Sequence, residues 1–280
     1  MNTKNQVPFI TLGNGSAMPQ LGFGTWTLRD DVAVRSVSEA IRCGYRLIDT
    51  AQMYQNEEAV GKGIAAGGVD RSELFITTKI TPANMREHRA ADSIRESIAA
   101  LDCGYIDLLL IHWPVAGEVE RTWKEMEEFV DAGLVRSLGC SNFHPHHLDD
   151  LDRYARIRPV VDQVEVHPYM VQSELVAELQ SRGLHVQAWG PYGQGLLNVT
   201  KDPLAKEIAG KYGKSAVQTI LRWHMQRGLS TIPRSTNPDH MKENISIFDF
   251  TLAQEDMDAI TALDRGLRSS ERNDPDNFPW

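Results

Sequence analysis

Residues 44–54 read GYRLIDTAQMY and combine a strand-like apolar pattern with polar residues that follow it. Leu47 and Ile48 are bulky and apolar, as the packed surface of a buried strand requires. The strand ends on Asp49, and an unpaired buried charge is costly. Tyr54 follows shortly after the acid. The stretch therefore predicts a buried strand whose carboxyl end carries polar chemistry and needs a cationic partner.

Two later strand-like runs also end on ionisable side chains. Lys79 closes FITTK, and His112 follows the apolar part of DLLLIHW. Taken singly, a tyrosine is more often packing and a lysine more often a solvated charge. Aspartate, tyrosine, lysine and histidine delivered by consecutive strand ends are typical of an acid–base site. We therefore expect Asp49, Tyr54, Lys79 and His112 to lie together.

Strand-like and helix-like patterns alternate along the rest of the chain. The strand-like runs are LGFGT, RLIDT, LFITTK, DLLLIHW, RSLGC, VVDQVEV, HVQAW and STIPR. Most successive runs are about 25 to 32 residues apart, the length of one βα unit. This rhythm fits a doubly wound sheet or a closed (β/α)8 TIM barrel. We favour the barrel because eight runs are present and no composition break marks a second domain.

Additions at both ends extend the predicted barrel domain, which spans residues 1–280. An Asn-Gly pair between alternating runs predicts an N-terminal hairpin over residues 7–18, which would cap a larger structure. The interval between HVQAW and STIPR is long enough to hold an extra loop. Short helices are expected at 240–245 and 254–263. The polar tail, 265–280, is expected to be loosely ordered except where its aromatic residues dock.

Composition restricts the partners and the compartment. The 280-residue chain has 41% hydrophobic and 24% charged residues, as in ordinary globular proteins. A formal net charge of −9 argues against nucleic acid or an anionic membrane as partner. We find neither a signal-peptide pattern nor a stretch able to span a bilayer. The three scattered cysteines form no disulfide framework, so we expect a cytoplasmic protein.

The chemistry of the expected site follows from these residue types. An ammonium beside a phenol stabilises the phenolate that forms when a tyrosine gives up its proton. Lowering the Tyr54 pKa by roughly two units would correspond to ~100-fold in rate. Asp49 would hold Lys79 in place, and a neutral His112 could orient a carbonyl oxygen. The set is suited to protonating an oxyanion as hydride arrives.

Other chemistries have weaker support. HPHH, at residues 144–147, could bind a metal, but no nearby carboxylate or cysteine completes a ligand set, so we predict no metal site. The chain has no GxSxG elbow. It also lacks GxGxxG, so a nicotinamide cofactor would not be held in the Rossmann manner.

Several motifs together resemble one family. GYRLIDTA, TTK, LLIHWP, GCSNF, QVEVHP and IPRS occur in the order found in the aldo-keto reductase superfamily, between about Phe9 and Asp264. AWGPYGQG and LRWHMQRG most resemble the bacterial 2,5-diketo-gluconate reductase branch and related prostaglandin F synthases. The resemblance implies a (β/α)8 barrel that binds NADPH in extended form. It makes Tyr54 the general acid, Lys79 and Asp49 its tuning pair, and His112 the carbonyl-orienting residue.

The resemblance also implies which residues bind the cofactor. Those expected at the nicotinamide are Ser141, Asn142, Gln163 and the stacking Trp189. Further expected cofactor contacts are Gly24, Thr25 and Trp26. Those expected over the pyrophosphate are Gly190, Gly193, Gly195 and Leu196. Those expected around the adenosine 2′-phosphate and adenine are Arg234, Ser235, Thr236, His240, Glu243 and Asn244. Arg234 stands in place of the usual lysine, and His240 in place of the usual arginine. We therefore expect NADP(H) with secondary use of NAD(H).

The substrate pocket and two alternatives complete these expectations. Trp26, Tyr54, His112 and Trp113 would form an aromatic mouth for small carbonyls such as methylglyoxal or diketo-sugar acids. The short tail lacks a long closing loop, which favours broad specificity in a monomeric enzyme. One alternative is a catalytically idle barrel that binds cofactor as a sensor. The other is a metal-dependent hydrolase on the same fold.

Overall fold

The computed structural model describes residues 7–279 and contains a two-stranded and an eight-stranded sheet. The strands are β1 (Phe9–Thr11), β2 (Ala17–Pro19), β3 (Phe23–Gly24), β4 (Leu47–Asp49), β5 (Phe75–Ile80), β6 (Leu108–Ile111), β7 (Leu138–Ser141), β8 (Val161–Glu165), β9 (His185–Trp189) and β10 (Ser230–Thr231). Each of the eight strand-like runs overlaps one of β3 to β10. Residues 1–6 and Trp280, at the ends of the predicted domain, lie outside the described range.

The larger sheet closes on itself. Strands β3 to β10 are parallel and follow chain order across the sheet. Its two edges meet where the Gly22 amide donates to the Thr231 carbonyl at 2.9 Å. The Thr231 amide in turn donates to the Gln20 carbonyl at 3.1 Å. The prediction of a (β/α)8 barrel is confirmed, and the doubly wound alternative is excluded.

Helices cover the outside of the barrel. They are α1 (Asp30–Arg42), α2 (Glu57–Ala65), α3 (Pro82–Arg86), α4 (Ala90–Leu101), α5 (Val119–Asp131), α6 (Pro145–Leu151), α7 (Ser173–Ser181), α8 (Pro203–Lys211), α9 (Ala216–Gln226), α10 (Pro238–Ile245) and α11 (Gln254–Thr261). Ile94, Trp123 and Val164 are buried between strands and helices. The interval before β10 holds α8 as well as the expected loop. None of the helices within residues 7–279 has the length and apolarity needed to cross a bilayer.

The N-terminal hairpin closes one end of the barrel. β1 and β2 pair antiparallel, with Phe9 opposite Pro19, so the predicted hairpin is confirmed. Leu12 and Met18 belong to the same buried cluster as Leu47, which begins β4. This arrangement leaves the opposite end, where the strands finish, open for a site.

The C-terminal tail is better held than the sequence suggests. The Ser269 amide donates to Glu165 Oε1 at 2.7 Å, and the Leu267 amide donates to the Tyr169 carbonyl at 2.9 Å. Phe278 also packs on Trp113, with ring centroids 5.2 Å apart. The expectation of a loose tail with aromatic anchors was therefore only half right, because buried polar contacts hold it as well. These contacts carry the tail across the open end of the barrel.

Candidate active site

Four ionisable side chains meet at the open end of the barrel. Asp49 ends β4, Lys79 lies near the end of β5, His112 follows β6, and Tyr54 ends a 3-10 turn, Gln52–Tyr54. Lys79 Nζ lies 2.6 Å from Asp49 Oδ1 and 3.4 Å from the Tyr54 hydroxyl. The Tyr54 and His112 rings meet edge to face, with centroids 5.7 Å apart. The structure thus brings together all four residues that the strand-end argument selected.

Lys79 is buried between two oxygen partners and the tyrosine. Its ammonium donates to Asp49 and to the Thr50 carbonyl, 2.8 Å away. Burial alone lowers the pKa of Lys79, but Asp49 and Tyr54 together raise it above the usual value. Burial raises the pKa of Asp49, against the opposing effect of Lys79. We take the pair as ionised because the short ion pair and the Gln163 amide both favour the carboxylate.

Tyr54 and His112 are both held in the form that can donate a proton or hydrogen bond. Burial raises the pKa of Tyr54 above 10, although Lys79 acts to lower it. The lowering of the Tyr54 pKa that the sequence suggested therefore holds only by comparison with an equally buried tyrosine that has no ammonium beside it. Burial, and then Lys79, put the pKa of His112 well below its usual 6.5. At neutral pH the site contains a protonated phenol and a neutral imidazole.

Two glutamine side chains form a hydrogen-bonded network that holds the second carboxylate oxygen of Asp49. Gln163 Nε2 donates to Asp49 Oδ2 at 2.7 Å and to Gln187 Oε1 at 2.6 Å. Both amide hydrogens of Gln163 are then used, and its Oε1 remains as an acceptor. Sequence reasoning missed Gln187, although a glutamine inside the apolar run HVQAW is a usable signal. Gln163 thus both supports the acid–base group and offers an acceptor to a ligand amide.

A second set of contacts orients the indole of Trp189. Trp189 Nε1 donates to Asn142 Oδ1 at 2.8 Å. Asn142 Nδ2 donates to the His112 carbonyl at 3.0 Å and to Ser141 Oγ at 3.1 Å. Ser141 Oγ donates to the Gln163 carbonyl at 2.9 Å. These contacts fix the ring plane of Trp189 as one wall of the site.

A cavity of about 830 Å³ runs from this site across the barrel mouth. The cofactor residues predicted from the resemblance that line it are Gly24, Thr25, Trp26, Ser141, Asn142, Gln163, Trp189, Gly190, Gly195, Arg234, Ser235, His240, Glu243 and Asn244. Gly193, Leu196 and Thr236 are not among its lining residues. Leu196 is 63% exposed, and Gly193 is buried with the Leu197 side chain against it. The cavity exceeds what a small carbonyl alone would fill.

Three cationic side chains line the cavity without an acidic partner. Arg234 follows β10, Lys201 lies in the loop after β9, and Arg272 belongs to the tail. None of the three forms a side-chain hydrogen bond or ion pair within residues 7–279. Sequence reasoning selected Arg234 alone and missed Lys201 and Arg272, because loop paths carry no periodic signal. Lys201 and Arg272 therefore add permanent positive charge to the cavity beside that of Arg234.

The predicted aromatic mouth is present and is covered in part by the tail. Trp26 is 44% exposed, whereas Trp113 is buried and stacks on His112 with ring centroids 6.5 Å apart. Phe278 covers the Trp113 ring, and Asn273 joins the cavity lining. The tail is therefore one wall of the pocket, although it is too short to supply a long closing loop.

The histidine run at residues 144–147 has a carboxylate neighbour after all. Asp276 Oδ2 lies 3.0 Å from His144 Nδ1, and Asp276 Oδ1 lies 3.3 Å from His146 Nε2. We predicted no metal site because the sequence near the run offers no such ligand. That reason was wrong, since the tail returns to the run from more than a hundred residues away.

The fold and the site define the class of the protein. An acid–base tetrad and a long cation-lined cavity lie at the carboxyl end of a (β/α)8 barrel, where such enzymes place their active sites. The aldo/keto reductase family model matches residues 20–265. The chain belongs to the aldo/keto reductase family.

Individual relatives match over nearly the full length. A glyoxal reductase of Bacillus subtilis is 42% identical over 260 residues, which cover 92% of this chain and 94% of that protein. The methylglyoxal reductase DkgA of Escherichia coli K12 is 39% identical over 271 residues, covering 96% and 97%. A Bombyx mori aldo-keto reductase solved in complex with NADP superposes with a TM-score of 0.90. It is 38% identical, and the match covers 98% of each chain.

Proposed function

We propose that the protein is an NADPH-dependent reductase that converts small aldehydes and ketones to alcohols. The observation that carries the proposal is the Tyr54 hydroxyl, 3.4 Å from a buried ammonium and in the wall of a large cavity. A phenol in that position can protonate an oxygen while the ammonium stabilises the phenolate left behind. The family membership supports the same reaction.

The residues of the cavity fit a phosphorylated nicotinamide cofactor. Lys201, Arg234 and Arg272 have no acidic partner among the described residues and offer their positive charge to phosphates. Gln163 Oε1 can accept from a carboxamide, and the oriented Trp189 ring offers a flat face. The Bombyx mori relative is described in complex with NADP. When bound, this cofactor supplies the hydride.

The chain's own residues would supply the rest of the reaction. His112, kept neutral by burial, can donate a hydrogen bond to the substrate oxygen and orient it toward Tyr54. Tyr54 gives its proton to that oxygen as negative charge develops there. Lys79 stays charged because Asp49 holds it, so the phenolate forms beside a fixed cation.

Small dicarbonyls are the substrates we propose first. The space beside Tyr54 is bounded by Trp26, Trp113 and the tail, which favours compact molecules. Two relatives named for glyoxal and methylglyoxal reduction support this class. Diketo-sugar acids are a second class, suggested by the sequence branch.

One assay tests the proposal. Loss of NADPH absorbance is followed with methylglyoxal, with and without a chelator, for the parent and for Tyr54→Phe. We expect turnover in the parent and a loss of at least ~100-fold in Tyr54→Phe, because the general acid is gone while the pocket shape is kept. Comparable turnover in Tyr54→Phe would refute the role of Tyr54.

The same assay distinguishes the alternatives. An idle cofactor-binding sensor would bind NADPH without consuming it, and a metal-dependent hydrolase would not consume NADPH with or without the chelator. The complete tetrad disfavours the sensor, which has no need of a buried proton-donating group. Cofactor binding by fluorescence, measured beside turnover with a series of aldehydes and ketones, separates a sensor, which binds NADPH and reduces none of them, from an enzyme tested with the wrong substrate.

We propose further that residues 1–280 act as one barrel domain, as a monomer, in the cytoplasm. The free cysteines Cys43, Cys103 and Cys140 suit a reducing compartment. Sedimentation equilibrium tests the monomer, and fractionation of the source cells tests the location. Secondary use of NAD(H) is also proposed, because His240 replaces an arginine of the family pattern.

A further inference from the structure

A second cluster of side chains lies outside the cavity and consists of His144, His146 and Asp276. None of the three is among the residues that line the cavity. One ligand atom from each lies within 4.8 Å of the other two. Imidazole nitrogens and a carboxylate oxygen bind zinc-like ions at about 2.0–2.2 Å, so only small side-chain movements would bring them onto one ion. His146 and Asp276 are 62% and 44% exposed, which leaves room for those movements and for a completing water.

The three residues come from two separate parts of the chain. His144 and His146 lie at the start of α6, directly after the strand that ends in Ser141, whereas Asp276 lies in the tail. We propose that these residues form a binding site for a divalent transition metal such as Zn²⁺, and that the bound ion anchors the tail to the barrel mouth. The inference concerns metal binding alone and does not depend on the proposed carbonyl reduction.

His147 is excluded from the ligand set although it lies in the same run. Its Nδ1 accepts a hydrogen bond from the His144 amide at 3.0 Å, so the neutral ring carries its proton on Nε2. That nitrogen lies 3.7 Å from Asp276 Oδ1. His147 is therefore a positioning residue that faces the carboxylate with an N–H.

Binding at this site would affect the substrate pocket through the tail. Phe278, near Asp276 in sequence, packs on Trp113, which in turn stacks on His112. Asn273 lies on the other side of Asp276 in sequence and lines the cavity. An ion that holds Asp276 would therefore restrict opening of the tail at the pocket wall.

Calorimetry with ZnCl₂ on the chelator-treated full chain tests the site. We expect one equivalent of Zn²⁺, with affinity lowered at least about tenfold in His146→Ala and in Asp276→Asn. His88→Ala is the matched control, because His88 is 64% exposed, like His146 at 62%, and lies outside the cluster. Melting curves without metal check that each variant is folded.

Hydrogen exchange of residues 270–278 gives the second measurement. We expect Zn²⁺ to slow exchange there in the parent and in His88→Ala, but not in Asp276→Asn. Absence of Zn²⁺ binding by the parent would overturn the proposal. Equal affinity in Asp276→Asn, or unchanged tail exchange on binding, would also overturn it, because the histidines alone would then hold the ion.

Discussion

At the scale of single residues, the proposed chemistry depends on the buried pair of Lys79 and Asp49. The two differ in role, because the ammonium faces the phenol directly and the carboxylate acts by holding the ammonium. Lys79→Met should abolish turnover. Asp49→Asn should leave a small fraction, since Lys79 survives but is less well oriented.

Asp49→Asn should also reduce stability, because Lys79 is 0% exposed and would lose its counter-charge. Removing one partner of a buried ion pair costs about 3–5 kcal/mol. Urea unfolding and steady-state turnover of both variants check these expectations. Unchanged unfolding and unchanged turnover in Asp49→Asn would show that the pair does not serve the site.

The pKa directions of Tyr54 and His112 predict the pH dependence of the reaction. Reduction needs a protonated Tyr54, whose pKa is raised above 10, and a neutral His112, whose pKa is well below 6.5. The turnover number for reduction should therefore be flat between about pH 7 and 9. Alcohol oxidation needs the phenolate and should rise as the pH approaches the pKa of Tyr54.

Turnover at saturating cofactor and substrate, measured in both directions, checks this prediction. The half-buried Glu57 carboxyl supplies a control as Glu57→Gln, because it accepts hydrogen bonds from Thr78 and Ser97 and has no hydrogen bond to Tyr54. A midpoint between pH 7 and 9 in the reduction profile would contradict the assigned protonation states.

At the scale of elements, one strand carries a buried acid that the reaction does not use. Asp162 in β8 is 0% exposed, and its Oδ2 has no hydrogen-bond partner within residues 7–279. Burial raises its pKa to about 8. The folded state therefore prefers the protonated acid, and this contribution to stability is lost as the pH rises from about 4 to about 8.

Asp162→Asn removes that titration and keeps the shape. The stability of the variant relative to the parent should increase with pH in this window, by on the order of 1.4 kcal/mol per pH unit. Urea midpoints of both proteins at pH 5, 6.5 and 8 measure the difference. A constant difference across the series would mean that Asp162 ionises normally in the folded chain.

The same strands show what the sequence could predict. Leu47 and Ile48 identify β4 by their bulk, and the barrel then brings Asp49 beside Lys79, because parallel strands end on one rim. Contacts of the long connections were not predictable in this way. Arg272 and Asp276 reach the barrel mouth through a polar tail with no periodic pattern, so only tertiary contacts fix their positions.

At the scale of the whole molecule, the cavity is lined by positive charges although the chain as a whole is acidic. The chain carries a net charge of −9, yet Lys201, Arg234 and Arg272 line the cavity and have no acidic partner within residues 7–279. They come from the loop after β9, from the segment after β10 and from the C-terminal tail. A positively charged cavity inside an acidic protein suits a phosphorylated cofactor such as NADP(H).

The preference for NADPH over NADH should depend on His240 as well as on these three cations. His240 is exposed at the cavity and stands where the family pattern has an arginine. An arginine would place a permanent charge on a 2′-phosphate, whereas the histidine offers it a hydrogen bond without a permanent charge. We therefore expect the preference for NADPH over NADH to be weaker in the parent than in His240→Arg. One charged hydrogen bond corresponds to about 1.5–3 kcal/mol, and Lys201 and Arg272 should keep the difference near the lower limit, about tenfold.

Measuring the dissociation constants of both cofactors for the parent and for His240→Arg tests this expectation, because the arginine adds a permanent charge at this position. NADPH affinity should rise in His240→Arg, whereas NADH affinity should stay near that of the parent. His88→Arg adds the same charge at a residue outside the cavity lining and should change neither constant. No gain in NADPH affinity from His240→Arg would place the discrimination on Arg234, Lys201 and Arg272 alone.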